Sequence, residues 1–99
     1  MMIRIRVKPG RRDEWRRLWG EHLRARAEAN PGQELYLVVD DAADADVVHL
    51  FELYGDPAEM QRNAAAQWFA DYMARVGPLL AETPVVATGT PVWAKGAPI

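Results

Sequence analysis

The stretch 34-ELYLVVDDAADADVVHLFELY-54 decides how this chain folds. Residues 34–40 and 47–54 are rich in β-branched and aromatic side chains and have the length of strands. The polar run between them, 40-DDAADAD-46, reads as a solvated turn. Together the segments predict a hairpin with a longer loop. A sheet with one wet face should alternate apolar and polar residues cleanly. Here Leu35, Leu37 and Val39 point one way, while Tyr36 and Val38 point the other. His49 shares a face with Phe51 and Leu53, which marks it as an interface residue more than a base. Both faces of the hairpin therefore need a cover.

Outward from the hairpin, 2-MIRIRVK-8 alternates apolar and charged residues, the pattern of a strand with one buried face, and Pro9-Gly10 ends it. A helix is predicted from Arg11 to Ala29. Trp15, Leu18, Trp19, His22, Leu23 and Arg26 recur at spacings of three and four and share its inner face. Asn30-Pro31-Gly32 stops it. Its arginines (Arg11, Arg12, Arg16, Arg17, Arg24) are mixed with acids and read as a solvated face.

Beyond the hairpin, Asp56 is a good helix N-cap, Pro57 suits the first helical position, and Glu59 sits three residues after the cap. Helix is predicted to about Ala81, disturbed near Gly77-Pro78. A last strand, 84-PVVATGTPVW-93, is interrupted by Gly89 and Pro91, which suggests an edge, a bulge or an arm. The order β-α-β-β-α-β predicts an α+β, ferredoxin-like fold, a four-stranded antiparallel sheet with helices on one face. Its other face is apolar and unclothed in a monomer, so a symmetric homodimer, sheet against sheet, is expected.

The 99 residues make a single domain, 1–99, with 90–99 as an arm. A chain of this size buries roughly 60–70% of its unfolded surface, so association would help it. A net charge of −2 argues against nucleic-acid binding. The absence of cysteine excludes disulfides and thiol chemistry. Neither a secretory leader nor a membrane span is read from the sequence, which places the protein in the cytoplasm. The acids of residues 40–46 lack the spacing and turn glycine of a calcium loop, and the two histidines suggest no metal site.

The segment 63-NAAAQWFADY-72 carries the candidate chemistry. On one unbroken helix Phe69, Tyr72, Met73, Val76 and Leu80 form the buried stripe, Trp68 lies on its flank, and Asn63 and Met60 face outward. An exposed methionine just after a good cap argues for a break in phase, predicted within residues 62–66. Asn63, Trp68 and Tyr72 then line a pocket between helices and sheet. The other reading makes Trp68 and Tyr72 core and Asn63 a bend residue.

The segments VKPGRRDEWRRLW, EANPGQELYLVVD, HLFELYGDPAEMQRNAAAQWF and PLLAETPVV together resemble the antibiotic biosynthesis monooxygenase family, a group of dimeric α/β barrels, over roughly residues 3–90. Many relatives carry histidines where this chain has Asn63 and Trp68. Some oxygenating members rely instead on asparagine and tryptophan four apart; here they are five apart. The resemblance implies oxygenation with O2 of an electron-rich aromatic such as a quinol or anthrone, with no cofactor. It casts Asn63 and Trp68 in catalytic roles, Asn63 as oxyanion donor and Trp68 against the ring; His22, in the middle of the apolar stripe of the first helix, is expected to take the proton. Trp19, Arg26, Tyr36, Phe69 and Tyr72 are expected to contact the substrate. Two alternatives remain. A non-catalytic dimer of this fold would bind an aromatic metabolite. A haem-degrading relative would need an axial histidine on the second helix, and none lies between Asp56 and Ala81.

Overall fold

Strand β1 (Met2–Arg6) leads through a turn at Gly10 into helix α1 (Arg12–Trp19). A computed structural model describes residues 1–96. Gly10 has φ +78°, a conformation open to glycine at little cost, and its N–H donates to Asp46 Oδ1 at 3.1 Å. The first helix does not run straight to Ala29. It widens into a π-helical turn at Gly20–Arg24 and resumes as α2 (Ala25–Ala29). Strands β2 (Gln33–Asp40) and β3 (Val47–Tyr54) form the expected hairpin. Helices α3 (Pro57–Ala65) and α4 (Gln67–Val76) follow, then a 3-10 turn at Gly77–Leu79 and the short strand β4 (Val85–Ala87).

The strands form one antiparallel sheet in the order β2-β3-β1-β4. This is the ferredoxin-like α+β arrangement. On its covered face Ile5, Val48 and Leu50 meet Trp15, Leu18, Leu23, Tyr72 and Val76 of the helices in one core. The neighbouring residues of the same strands point the other way and are open: Leu35, Leu37, Val39, Phe51 and Met2.

Asp56 caps α3 as its sequence promises, accepting from the Ala58 N–H at 2.9 Å, with Pro57 next to it. The turn after β2 is less solvated than its composition suggests. Arg12, from α1, donates to the main-chain oxygens of Asp41, Asp44 and Val47. Asp40 pairs with Arg12 and Arg16, Asp44 with Arg6, and His49 Nε2 lies 2.8 Å from Asp41 Oδ1. Part of the arginine face of α1 thus staples the hairpin turn.

Two boundaries and one buried position differ from the sequence reading. The second helical region ends at Val76, because the chain tightens at Gly77-Pro78. Leu80 is already extended and bridges Val7. Met73, expected inside, is exposed over much of its surface, although it still borders the cavity described below. The last strand covers only Val85–Ala87; residues 88–94 take no regular form, and Val92 and Trp93 are exposed. Of the expected arm, residues 97–99 lie outside the described residues.

Candidate functional site

Between the helical layer and the sheet lies an apolar cavity of about 260 Å³. That is just below the about 300–1,000 Å³ typical of small-molecule sites. Helices and strands both supply its polar and aromatic groups, and three local irregularities of the backbone bring several of them there.

The first irregularity is at Ala66. It has φ −71° and ψ 145°, an extended residue between α3 and α4. On a continuous helix Asn63 and Trp68, five residues apart, would stand about 140° from one another. The extended residue resets the phase, so Met60, Asn63, Trp68, Phe69 and Tyr72 all line the cavity. No glycine or proline marks this break; the apolar phase alone announces it.

The second is the π-helical turn. A π turn advances fewer degrees per residue than an α turn, and such turns recur at functional sites. Here Leu23, not His22, takes the inward position, and Arg26 and Ala27 border the cavity. His22 is outside that lining, with its ring centroid 6.3 Å from that of Tyr72. Arg26 lies with its guanidinium carbon 4.7 Å from the Trp68 ring centroid, a cation–π contact.

The third is a bulge in β2. Gln33 pairs with Tyr54 and Leu35 with Leu53, so the ladder skips at Glu34. By simple alternation Gln33 would share the open face with Leu35. The bulge turns it inward, where its Nε2 donates to Glu52 Oε1 at 2.9 Å. The Tyr54 hydroxyl donates to the same oxygen at 2.8 Å, and the Asn63 amide reaches toward Tyr54. Asn63, Tyr54, Glu52 and Gln33 thus form a polar end to a chamber whose other walls are Ile3, Ile5, Leu50, Val76 and aromatic rings.

Tyr36 lines the cavity too; Trp19 stands behind it and donates from Nε1 to its hydroxyl at 3.1 Å. The structure therefore brings Asn63, Trp68, Arg26, Tyr36, Phe69 and Tyr72 to one space, and leaves Trp19 and His22 outside it. Burial raises the pKa of Tyr36, Tyr54 and Tyr72, and the nearby Glu52 charge raises each further, so all three hydroxyls stay protonated at neutral pH. Glu52 is itself raised by burial, against the opposing hydrogen bonds from Tyr54 and Gln33. Trp15 also lines the cavity, and its Nε1 is buried without a partner among the described residues.

Sequence reasoning passed over Glu52, Tyr54 and Gln33. For Glu52 a signal existed: it has the parity of Val48 and Leu50, so a carboxylate was due on the buried face. For Gln33 there was none, because its orientation depends on the bulge.

No cluster of three or more metal-ligating side chains occurs among the described residues. No helix among them is long and apolar enough to cross a membrane.

The fold recurs in proteins of known structure. Rv0793 from Mycobacterium tuberculosis superposes with a TM-score of 0.81 at 23% identity, covering 96% of this chain and 95% of that one. A candidate antibiotic biosynthesis monooxygenase from Caulobacter crescentus matches with a TM-score of 0.77 at 24% identity, over 85% of this chain and 79% of its own. PA3566 from Pseudomonas aeruginosa gives 0.70 at 19% identity, with 89% and 91% covered. Among curated proteins none matches this chain. The family model described as antibiotic biosynthesis monooxygenase matches residues 1–75. With that match across most of its length, and the fold its neighbours share, this chain belongs to the antibiotic biosynthesis monooxygenase family.

Proposed function

We propose that the protein is a cytoplasmic, homodimeric monooxygenase. It inserts oxygen from O2 into a small electron-rich aromatic of the quinol or anthrone type, without a metal or organic cofactor. The observation that carries this reading is the cavity itself. It lies between helices and sheet, is mainly apolar and is walled by Trp68, Phe69, Tyr72 and Tyr36, with one polar end. Flat aromatic walls suit ring stacking and edge contacts, and an apolar enclosure keeps water from a reactive carbanion or phenolate. An electron-rich substrate anion can itself donate an electron to O2, so the protein needs only to bind, deprotonate and shield it. In this reading the Asn63 amide donates a hydrogen bond to the developing oxyanion, and the Arg26 guanidinium adds positive charge at the rim of the same space. The exposed apolar face of Leu35, Leu37, Val39 and Phe51 supports association through the sheet.

The test is oxygen consumption by the metal-free protein with a panel of anthrones and hydroquinones. The wild type is expected to consume O2 with at least one of them. Asn63→Ala should lower kcat by about 10²–10³ if the amide serves the oxyanion, while Trp68→Ala should act mainly on KM. Saturable ligand binding with no uptake for any compound would replace this reading with that of a binding dimer.

A further inference from the structure

We propose that Glu52 is the proton acceptor of this site. Its carboxylate receives the hydroxyl proton of a bound phenol or anthranol, so the cavity selects a free hydroxyl and not merely an aromatic ring. This assignment rests on reading the cavity as an oxygenation site, but its geometry stands apart from that reading.

Two charged side chains line the cavity among the described residues, Arg26 and Glu52. Glu52 is 9% exposed, in a position where β3 otherwise presents Val48 and Leu50. Taking a carboxylate out of water is costly, and one kept there is normally satisfied on both oxygens. Glu52 is satisfied on one. Gln33 and Tyr54 both donate to Oε1, and no hydrogen bond from the described residues reaches Oε2. One oxygen is anchored and the other is left as an acceptor. The β2 bulge aims Gln33 inward and so supplies one of the two donors. The groups facing the carboxylate are Tyr54 beside it on β3, Gln33 and Tyr36 from β2 and Tyr72 from α4, with the Met1 amino group near enough to favour its charged form; Arg26 from α2 lines the same cavity over Trp68. The Met1 amino group also donates to the Glu52 main-chain oxygen at 2.7 Å. Each of the three tyrosines is held in its protonated form, so none offers a phenolate base at neutral pH. His22, expected from the sequence to take the proton, has no edge in the cavity. Glu52 is the base that remains.

The step balances simply. The substrate O–H bond breaks, an O–H bond forms at Glu52 Oε2, and the negative charge passes from the carboxylate to the aromatic system. That anion then reduces O2. Anthranol is the enol of anthrone, so its hydroxyl hydrogen is one of the two of the ring CH2, and over the whole conversion that CH2 and O2 become C=O and H2O. The proton that Glu52 takes first is returned to the oxygen atom that leaves as water.

The experiment compares anthrone, whose enol tautomer anthranol carries the hydroxyl, with 9-methoxyanthracene, the methyl ether of that hydroxyl, for the wild type, Glu52→Gln and Tyr54→Phe, each checked by thermal melting. Binding is read by the fluorescence of Trp15 and Trp68 in the cavity wall, and turnover by oxygen uptake across pH. The wild type should bind the hydroxyl compound about tenfold or more tightly than the ether, the worth of a hydrogen bond to a charged acceptor. Glu52→Gln should shrink that ratio severalfold. It should also lower kcat/KM by about 10²–10⁴, abolish the fall in rate on the acid side, and recover rate above the substrate's own ionisation, where the anion arrives ready-made. Tyr54→Phe keeps the carboxylate but removes one donor, so its acid limb should move to higher pH. A wild type that binds ether and hydroxyl equally, or a folded Glu52→Gln with unchanged preference and pH profile, overturns the assignment. Should Glu52→Gln fail to fold, an unmoved limb and unchanged preference in Tyr54→Phe overturn it. A wild type that prefers the hydroxyl through Glu52 but consumes no O2 removes the oxygenation reading and leaves Glu52 as the hydroxyl acceptor.

Discussion

The two faces of this sheet are made from alternate residues of the same strands, and they have opposite fates. On the inner face Val48 is fully buried and Leu50 nearly so, and the row ends at the carboxylate of Glu52. On the outer face Leu37 is 47% exposed and Phe51 40%, yet both are as apolar as their inner neighbours. The inner face is covered by this chain's own helices, with a cavity between them. Among the described residues, only the stretch after β4 borders the outer face, near Leu35, Phe51 and Leu53, and Leu37 and Val39 stay exposed. Hydrophobicity alone does not tell the two apart; the helices do, because both cross to the same side.

The sharpest way to break this contrast is a charge on each face. Val48→Asp places an unpaired carboxylate in the core. That cost is several kcal/mol, enough to unfold a domain whose whole stability is about 5–15 kcal/mol, and loss of the cooperative melting transition would show it. Leu37→Asp should leave the far-UV circular dichroism intact and instead halve the mass measured by light scattering. A soluble wild-type monomer would remove the outer face from the account of assembly.

A smaller effect sharpens the outer face. Asp41 has its pKa lowered to about 2, first by the hydrogen bond with His49 and then by the Asp44 and Ala43 amides. A depressed folded-state value means that its stabilisation is present above the unfolded carboxylate's pKa, roughly 4, and is lost as the pH falls toward 2. The melting temperature should therefore drop over that window in the wild type, and less so in Asp41→Asn. The smallest effect belongs to the inner face. Arg26→Gln removes the cation–π contact with Trp68, worth about 0.5–1 kcal/mol at an exposed site, and should shift the tryptophan emission with little change in melting.

Most of the fold was legible in the sequence because it rests on periodicity. Period two in β1, the doubly apolar hairpin, the Asn30-Pro31-Gly32 stop and the Asp56 cap each report a local preference that the tertiary structure keeps. The break near Ala66 was legible in the same way, from the phase of Met60 against Phe69. The site was legible in part, and two of the failures share one cause: backbone irregularities that carry no residue signature. The π turn moves His22 off the inner line, and the bulge at Glu34 moves Gln33 onto it. Both shift a side chain by one step, which in a strand reverses its face. Glu52 was missed for a different reason. Parity placed it inward, but a lone acid in an apolar strand is easily read past when the eye follows only the hydrophobic positions.

The most direct measurement of the central claim, that the cavity carries out cofactor-free monooxygenation, is turnover of a reactive anthrone under 18O2. The account predicts one labelled oxygen in the product carbonyl and the other in water, with the label lost in proportion to activity in Trp68→Ala. An unlabelled product, or oxygen recovered entirely as hydrogen peroxide, would contradict it.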